Sequence, residues 1–236
     1  RTLLSKRHGA FSISEYRKLD YLPEALLNYM ILLGWAPRNK KEKFKIDDII
    51  DTFEIGTMSK ASSVFDQQKL DWLSGQYTRE ADLERLTNLA IPYVQAAGFI
   101  SADENKIDRV HLSLIVDAVR NNMSCMSQIV QEADIFFKDP VVSEKHVEFL
   151  SSEISQSVLL SFYRELQKLD TLSPEIFKEA FVAVQKETKV NGKGLYMPVR
   201  LALTGREHGP ELYNITNILG IEACNKRIER FLLVKK

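Results

Sequence analysis

The sequence has little cysteine and no long apolar run, and both absences restrict what the protein can be. Its 236 residues include two cysteines, Cys125 and Cys224, which lie far apart and outside any CxxC spacing. This excludes a disulfide framework and a cysteine-based zinc site, and it fits a reducing compartment. No apolar run approaches the about 18–20 residues of a membrane span, and no signal-peptide pattern follows the basic start. We therefore expect a cytoplasmic protein without membrane contact.

The usual motifs of self-contained catalysis are also missing. There is no GxGxxG, Walker P-loop, HExxH or GxSxG sequence, so no glycine loop for phosphates and no nucleophile elbow is indicated. Carboxylates are scattered, so no acid–base pair can be nominated. The histidines show no pairing at metal-ligand spacing; they are His8, His111, His146 and His208. We expect no metal site and no active site formed by these residues alone.

Charge is balanced in total but uneven along the chain. Lysine plus arginine and aspartate plus glutamate both number 32, so the formal net charge is zero. Residues 1–45 nevertheless contain ten basic and four acidic side chains, and the stretch from Lys189 to Arg206 contains no acid. Local basic patches on a neutral protein favour contact with a polyanion at defined places. For any single lysine, ordinary solvation at the surface is the alternative.

The apolar pattern is helical nearly throughout, and strand-like alternation is limited to residues 43–46. A leading proline and a closing glycine bound a compact apolar helix over residues 23–34. We expect a capped helix over residues 66–75 and one long helix over residues 143–169. Two last helices should meet at Gly220. The sequence therefore predicts a mainly α protein.

Several short motifs in a fixed order carry a family resemblance. LSKRHG at residues 4–9 resembles the K-L-S-K-R-H-G form of the KMSKS loop of class I aminoacyl-tRNA synthetases. YLPEALLNY at 21–29 and LLGW at 32–35 follow, then FD and KLDWLSGQYTR within 65–79, and PVRLALTG at 198–205. The ordered series is similar to the C-terminal half of bacterial-type glutamyl-tRNA synthetases, and it spans the whole chain.

The resemblance implies a division of the chain into three parts. Residues 1–65 would form the end of the KMSKS loop and a helical stem-contact region. Residues 66–138 and 139–236 would be the two subdomains of an all-helical anticodon-binding region. The implied partner is tRNA(Glu).

The resemblance also implies the activity of a parent protein, which activates glutamate with ATP and Mg and transfers it to tRNA(Glu). In that family a HIGH motif in an upstream Rossmann domain grips ATP, and no HIGH-like sequence occurs here. The chain opens on Arg1 without an initiator methionine. We therefore expect a monomeric fragment that carries no cofactor and is inactive alone. A free-standing helical RNA-binding or adaptor protein is the alternative.

At the start of the chain, Lys6 matches the KMSKS lysine that stabilises the pentavalent phosphate in this family. A flexible ammonium suits charge that develops transiently. Ser5 and Arg7 would shape the same ATP-binding loop. Leu3 stands where the family usually has its first lysine, so Lys6 carries the inference. The alternative is a solvent-exposed lysine at a frayed terminus.

Further positions match family residues near the anticodon, whose unpaired bases are normally held by stacking and by edge hydrogen bonds. A core aromatic is the alternative for the tryptophan among them. For the Gly-Pro pair the alternative is a helix N-terminus with proline at its first position, and both readings are compatible. The positions are Trp72, Arg79, Arg200, Gly209, Pro210 and Leu212.

One departure from the family concerns the third anticodon base. Some members that exclude glutamine tRNA carry an arginine where this sequence places Asn122. A charged, bidentate fork is thereby replaced by a short neutral amide, which weakens discrimination between cytosine and guanine. We expect a parent that also accepts tRNA(Gln), unless Arg120 compensates.

Overall fold

The computed structural model describes residues 12–35, 41–59 and 64–233. Within these ranges the chain forms helices joined by loops and short 3-10 turns, and it contains no strand. The prediction of a mainly α protein is confirmed. No helix in the described ranges is long and apolar enough to cross a membrane. The α-helices are α1 (Ile13–Lys18), α2 (Pro23–Gly34), α3 (Ile46–Thr52), α4 (Gln67–Glu80), α5 (Leu83–Ala96), α6 (Arg109–Val119), α7 (Ile129–Phe137), α8 (Glu144–Leu150), α9 (Glu153–Leu166), α10 (Pro174–Thr188), α11 (Lys193–Thr204) and α12 (Leu212–Glu229).

The chain forms two compact units. Among the described residues, unit 1 comprises 12–35, 41–59, 64–109 and 120–131, and unit 2 comprises 110–119 and 132–233. These units are defined by packing and not by function. The three-part functional division of the chain therefore stays a prediction.

Unit 1 is held together by tyrosines that join α1 and α2 to α4. The rings of Tyr16 and Tyr21 meet edge to face, with centroids 5.3 Å apart. The Tyr21 hydroxyl donates to Asp71 of α4 at 2.5 Å, and that of Tyr29 donates to the Asp66 carbonyl at 3.0 Å. The YLPEALLNY motif therefore supplies buried apolar rings whose polar tips are all satisfied.

The strand that the sequence suggested at residues 43–46 is absent, because residues 43–45 form an irregular segment and Ile46 begins α3. The Asn28 side chain donates to the Glu42 carbonyl at 2.9 Å and accepts from the Phe44 amide at 3.2 Å. The Tyr77 hydroxyl donates to the Phe44 carbonyl at 2.6 Å. Side chains thus satisfy the backbone groups that a neighbouring strand would otherwise bond.

The predicted end of α4 at residues 74–75 is wrong, because the helix continues to Glu80. The Ser74 hydroxyl donates to the Ser124 carbonyl at 2.5 Å. A Cβ at Gly75 would lie 3.6 Å from the Met123 carbonyl oxygen. Small residues that usually punctuate a helix here allow another segment to approach it closely, and this packing outweighs their low helix propensity.

Unit 2 is organised around α9, which packs against α8, α10, α11 and α12. Val158, Leu159 and Phe162 of α9 are fully buried in one apolar core. The rings of Phe162 and Phe181 lie 4.7 Å apart and join α9 to α10. This core fixes α11 and the loop that follows it.

The single helix predicted over residues 143–169 is in fact two helices, α8 and α9, with a break at residues 151–152. The Ser152 side chain accepts from the Ser155 amide at 3.3 Å and caps α9. Gly220 interrupts α12 with φ 78° and ψ 161°, a conformation that favours glycine. The predicted junction at Gly220 is confirmed.

Candidate nucleic-acid interface

In unit 1, Trp72 lies on α4 with half of its surface exposed (50%). The alternative that it is a core aromatic is therefore wrong. Lys69, one turn earlier, pairs with Glu42 at 2.7 Å. An indole half open to solvent offers a face on which a nucleobase can stack.

Arg79 lies seven residues after Trp72, which places it on the same face of α4 about 10 Å along the axis. Its Nη1 donates to the Asn121 carbonyl at 3.3 Å. A Cβ at Gly75 would lie 3.5 Å from this nitrogen, so the guanidinium rests over the glycine. The arginine therefore bridges α4 and the 3-10 turn that contains Asn121.

Asn122 ends that 3-10 turn, Arg120–Asn122, and its side chain is exposed. Met123, the next residue, is buried and anchors the turn in the core. The Arg120 Nη1 donates to the Ala81 carbonyl at 3.3 Å. The turn is thus fixed on both sides, and the structure brings Trp72, Arg79 and Asn122 into one part of unit 1.

In unit 2, Arg200 lies on α11, and its Nη1 is shielded from solvent without a hydrogen-bond partner among the described residues. Burial lowers the pKa of its guanidinium below the usual value. An enclosed donor without a partner is unfavourable in the folded chain. A ligand acceptor at this place would satisfy it.

The loop after α11 brings Gly209 to Arg200. A Cβ at Gly209 would lie 3.9 Å from the Arg200 Nη1, and its φ of 143° favours glycine. The Arg206 guanidinium donates to Asp134 at 2.8 Å, and the Arg206 amide donates to the Thr204 hydroxyl at 3.1 Å. The loop is therefore held in place, with its backbone close to the arginine.

Pro210 and Leu212 are both buried, and Leu212 belongs to the core of unit 2. Helix α12 begins at Leu212 with Glu211 as its N-cap. The expected position of Pro210 as the first residue of this helix is therefore wrong, because the proline precedes the cap. The side chains of these two residues anchor the loop.

Arg227 of α12 is a residue that the sequence analysis missed. It is 7% exposed and donates to the carbonyls of Ile135, Leu203 and Lys138 at 2.7, 2.6 and 2.8 Å. These carbonyls lie at or just beyond the C-terminal ends of α7 and α11, where helices leave acceptors unsatisfied. Nothing in the sequence pattern distinguishes Arg227 from the exposed Arg230.

The predicted ATP-loop residues Ser5, Lys6 and Arg7 lie outside the described residues. No group of three or more histidine, cysteine, aspartate or glutamate side chains in the described ranges could hold a metal ion.

Two family models match the chain. Residues 85–232 match the anticodon binding domain, and residues 1–72 match the catalytic domain of class I tRNA synthetases (E and Q). The first match covers more than half of the chain. The protein therefore belongs to the anticodon binding domain family.

Its curated relatives are glutamate–tRNA ligases, as the motifs indicated. The chain is 38% identical to that of Desulforamulus reducens over 98% of its own length and 48% of the relative's. The chain is also 38% identical to the Heliobacterium modesticaldum protein, over 98% of its own length and 47% of that relative's. The chain thus spans about half the length of the curated relatives it matches. The predicted resemblance to glutamyl-tRNA synthetases is confirmed.

Solved structures show the same fold. A crystal structure of a glutamate tRNA ligase from Elizabethkingia meningosepticum, in complex with its amino acid, matches with a TM-score of 0.81 at 24% identity. The match covers 98% of this chain and 48% of the other. The glutamate-tRNA synthetase from Elizabethkingia anophelis gives a TM-score of 0.77 at 23% identity, with 93% of this chain and 42% of the other covered.

Proposed function

We propose that the chain is the tRNA-binding part of a glutamate–tRNA ligase and that it binds the anticodon arm of tRNA(Glu). The observation that carries this proposal is the enclosed, unpartnered donor of Arg200 beside the glycine backbone of residue 209. A planar guanidinium donates in fixed directions to base edges and phosphates. Gly209 leaves room for a base to approach the loop closely.

Unit 1 carries its own set of proposed contact residues. Trp72 stacks on an unpaired base, as exposed aromatics do in single-stranded RNA complexes. Arg79 supplies a cation on the same helix face, and Asn122 presents a neutral amide to a base edge. In unit 2, the buried side chains of Pro210 and Leu212 anchor the loop that contains Gly209.

For the whole protein we propose the ligase activity of the relatives, which is ATP-dependent attachment of glutamate to tRNA(Glu), with tRNA(Gln) as a second substrate. ATP with Mg supplies the activation of the carboxylate. Lys6, with Ser5 and Arg7 in the same loop, would stabilise the charge on the reacting phosphate. We propose no ATP binding and no catalysis by residues 1–236 alone.

The binding proposal is tested by titrating residues 1–236 against tRNA(Glu) with fluorescence anisotropy. We expect an affinity that falls steeply between 50 and 200 mM salt, because phosphate contacts release counterions. Trp72→Ala and Arg200→Met should each weaken binding about tenfold or more, since a stacked base is typically worth about 1–3 kcal/mol. The matched control is Arg164→Met, which removes an exposed arginine of α9 that pairs with Glu187 at 3.6 Å.

If the unaltered chain, Trp72→Ala, Arg200→Met and the control all bind tRNA(Glu) with equal affinity, the anticodon role is contradicted. A separate assay addresses catalysis. Glutamate-dependent ATP–pyrophosphate exchange above background by residues 1–236 would contradict the proposal that this chain is inactive alone.

A further inference from the structure

A pocket of about 330 Å³ lies in unit 2 beside α8 and α11. We call it the α8–α11 pocket. None of the residues that the sequence analysis proposed for tRNA or ATP lines it. The residues that give it chemical character are Lys145, His146, Phe149, Lys193, Met197 and Glu207.

The polar side of the pocket combines one carboxylate with three basic side chains. His146 Nε2 lies 2.9 Å from the Glu207 carboxylate, which is hydrogen-bond distance. The Lys145 and Lys193 ammonium groups lie 3.9 and 3.8 Å from it and are 85% and 75% exposed. Both lysines are therefore weakly held, and either can turn toward an anion in the pocket.

The hydrogen bond from His146 and the two ammonium charges hold the pKa of Glu207 below its usual value. The carboxylate consequently stays ionised at neutral pH and accepts hydrogen bonds only. The second ring nitrogen of His146, Nδ1, is shielded from water and has no partner among the described residues. The pocket thus contains a fixed acceptor beside an imidazole whose hydrogen-bonding capacity is incompletely used.

The other side of the pocket is apolar. Phe149 exposes 39% of its surface, although it is a large aromatic residue on a short helix. Met197 lines the pocket from α11 and adds a flexible, polarisable surface. An exposed ring next to two lysines is the arrangement with which proteins hold an unpaired nucleotide, because the base stacks while the phosphate meets cations.

We propose that the α8–α11 pocket binds one unpaired ribonucleotide of an RNA ligand, with its base against Phe149, the base edge toward Glu207, and its phosphate at the Lys193 ammonium group turned away from that carboxylate. The volume lies at the lower end of the about 300–1,000 Å³ typical of ligand pockets, which suits one nucleotide. Glu207 favours a base edge that presents N–H donors, such as those of cytosine, adenine or guanine. This inference rests on the proposed function, because an anticodon-binding domain presents its surface to RNA.

The first experiment titrates residues 1–236 with the four nucleoside 5′-monophosphates, the matching nucleosides and inorganic phosphate. Backbone amide shifts of Phe149 and Gly194 in NMR spectra report on the pocket. We expect the monophosphates to bind at least tenfold more tightly than inorganic phosphate. Lys193→Ala should weaken the monophosphates and leave the nucleosides unchanged, and Lys186→Ala, an exposed lysine of α10 outside the pocket, should change neither.

The aromatic contact is tested with a pair of variants at one position. Phe149→Leu keeps apolar bulk and removes the stacking face, so it should weaken monophosphate binding about tenfold or more. Phe149→Trp keeps an aromatic face and should retain binding. Inorganic phosphate that binds as tightly as the monophosphates, equal binding by Phe149→Leu, or no shift changes in the pocket would each overturn the inference.

Titration with tRNA(Glu) separates this inference from the proposed function. We expect Phe149→Leu to lower tRNA affinity about tenfold. Suppose that tRNA binds and that Arg200→Met weakens this binding while Phe149→Leu does not. The pocket then does not hold a nucleotide of the tRNA, so the inference is overturned while the proposed function stands. If the unaltered chain does not bind tRNA, the proposed function fails, and so does the claim that the pocket holds a nucleotide of that RNA.

Discussion

At the scale of single residues, two glycines differ in whether their positions require glycine. Gly75 has helical geometry, and an added Cβ would meet the Arg79 Nη1 and the Met123 carbonyl oxygen at ordinary contact distances of 3.5 and 3.6 Å. Gly205 has φ 71°, and an added Cβ would lie 2.3 Å from the Val141 carbonyl oxygen. Only the second position requires glycine in both conformation and space.

The same substitution should therefore change stability in opposite directions. We expect Gly75→Ala to raise the free energy of unfolding by about 0.5–1 kcal/mol, because alanine favours the helix. Gly205→Ala should lower it by about 2 kcal/mol or more through strain and overlap. Urea unfolding followed by circular dichroism measures both. A loss of stability in Gly75→Ala equal to that in Gly205→Ala would show that the two sites are equally constrained.

Single residues also show how far the sequence predicted the candidate site. The sequence marked Trp72 and Arg200 because their motifs match the family. It could not decide whether the tryptophan was buried, because core and surface aromatics follow the same helical spacing. It missed Phe149 because a lone apolar residue on a helix is ordinary, and only tertiary structure places lysines beside it.

At the scale of elements, Arg227 joins the ends of helices within unit 2. Its guanidinium bonds three carbonyls from α11 and from the end of α7. Burial lowers its pKa, and the charge persists because the carbonyl dipoles replace water. Its substitution would remove the donor from the buried carbonyls of Ile135 and Leu203.

We expect Arg227→Met to lower the free energy of unfolding by about 3 kcal/mol or more, since it removes several hydrogen bonds from a charged group and each is worth about 1.5–3 kcal/mol. The matched control is Arg230→Met, three residues later on the same chain segment, which removes a single exposed contact with Asp139 at 2.8 Å. That variant should change stability little. Equal effects of the two variants in urea unfolding would contradict the assigned role of Arg227.

Helix existence was predictable from apolar periodicity, but helix ends were not. The sequence marked residues 23–34 correctly because proline and glycine bound an apolar run. It ended α4 at residues 74–75 because serine and glycine usually terminate helices, whereas here they meet residues 123–124. It joined α8 to α9 because the break at residues 151–152 depends on a serine cap within a continuous apolar pattern.

At the scale of the whole molecule, burial favours the protonated form of several tyrosine hydroxyls and cysteine thiols. In unit 1, burial raises the pKa of four tyrosines and of Cys125, and in unit 2 burial raises the pKa of Cys224 to about 12. An unfolded thiol loses its proton near pH 8.5 and an unfolded tyrosine near pH 10, by approximate model values. Above these values the unfolded chain binds fewer protons than the folded chain. The tyrosines are Tyr21, Tyr29, Tyr77 and Tyr93.

The sign of the pH dependence follows from this difference. Stability falls with rising pH wherever the folded state binds more protons. We expect the free energy of unfolding to decline from about pH 8.5, and more steeply above about pH 10, where tyrosines titrate. Tyr21→Phe should lower stability at pH 7 by removing the bond to Asp71 and should flatten the slope above pH 10. A constant or rising stability between pH 8 and pH 11 in urea titrations would contradict this account.

In the proposed function, discrimination between tRNAs would depend on the 3-10 turn Arg120–Asn122. Asn122 is exposed at the end of a 3-10 turn that Met123 anchors and that the Arg79 guanidinium contacts at Asn121. Glutamate and glutamine anticodons can differ only at the third base, so the choice depends on few contacts. A neutral amide lacks the charged, bidentate fork of arginine, which is worth about 1–3 kcal/mol of base discrimination.

We therefore expect residues 1–236 to bind tRNA(Glu) and tRNA(Gln) with similar affinity, within about threefold. Asn122→Arg should create a preference for tRNA(Glu) of about ten- to a hundredfold, because the turn already holds position 122 and the guanidinium adds two directed donors. Asn121→Arg is the matched control, since it adds the same charge one residue away. Anisotropy titrations with both tRNAs measure the ratio. If the unaltered chain already rejects tRNA(Gln) by a hundredfold, or if both variants shift the ratio equally, the discrimination does not reside at Asn122 and must come from another contact with the third base.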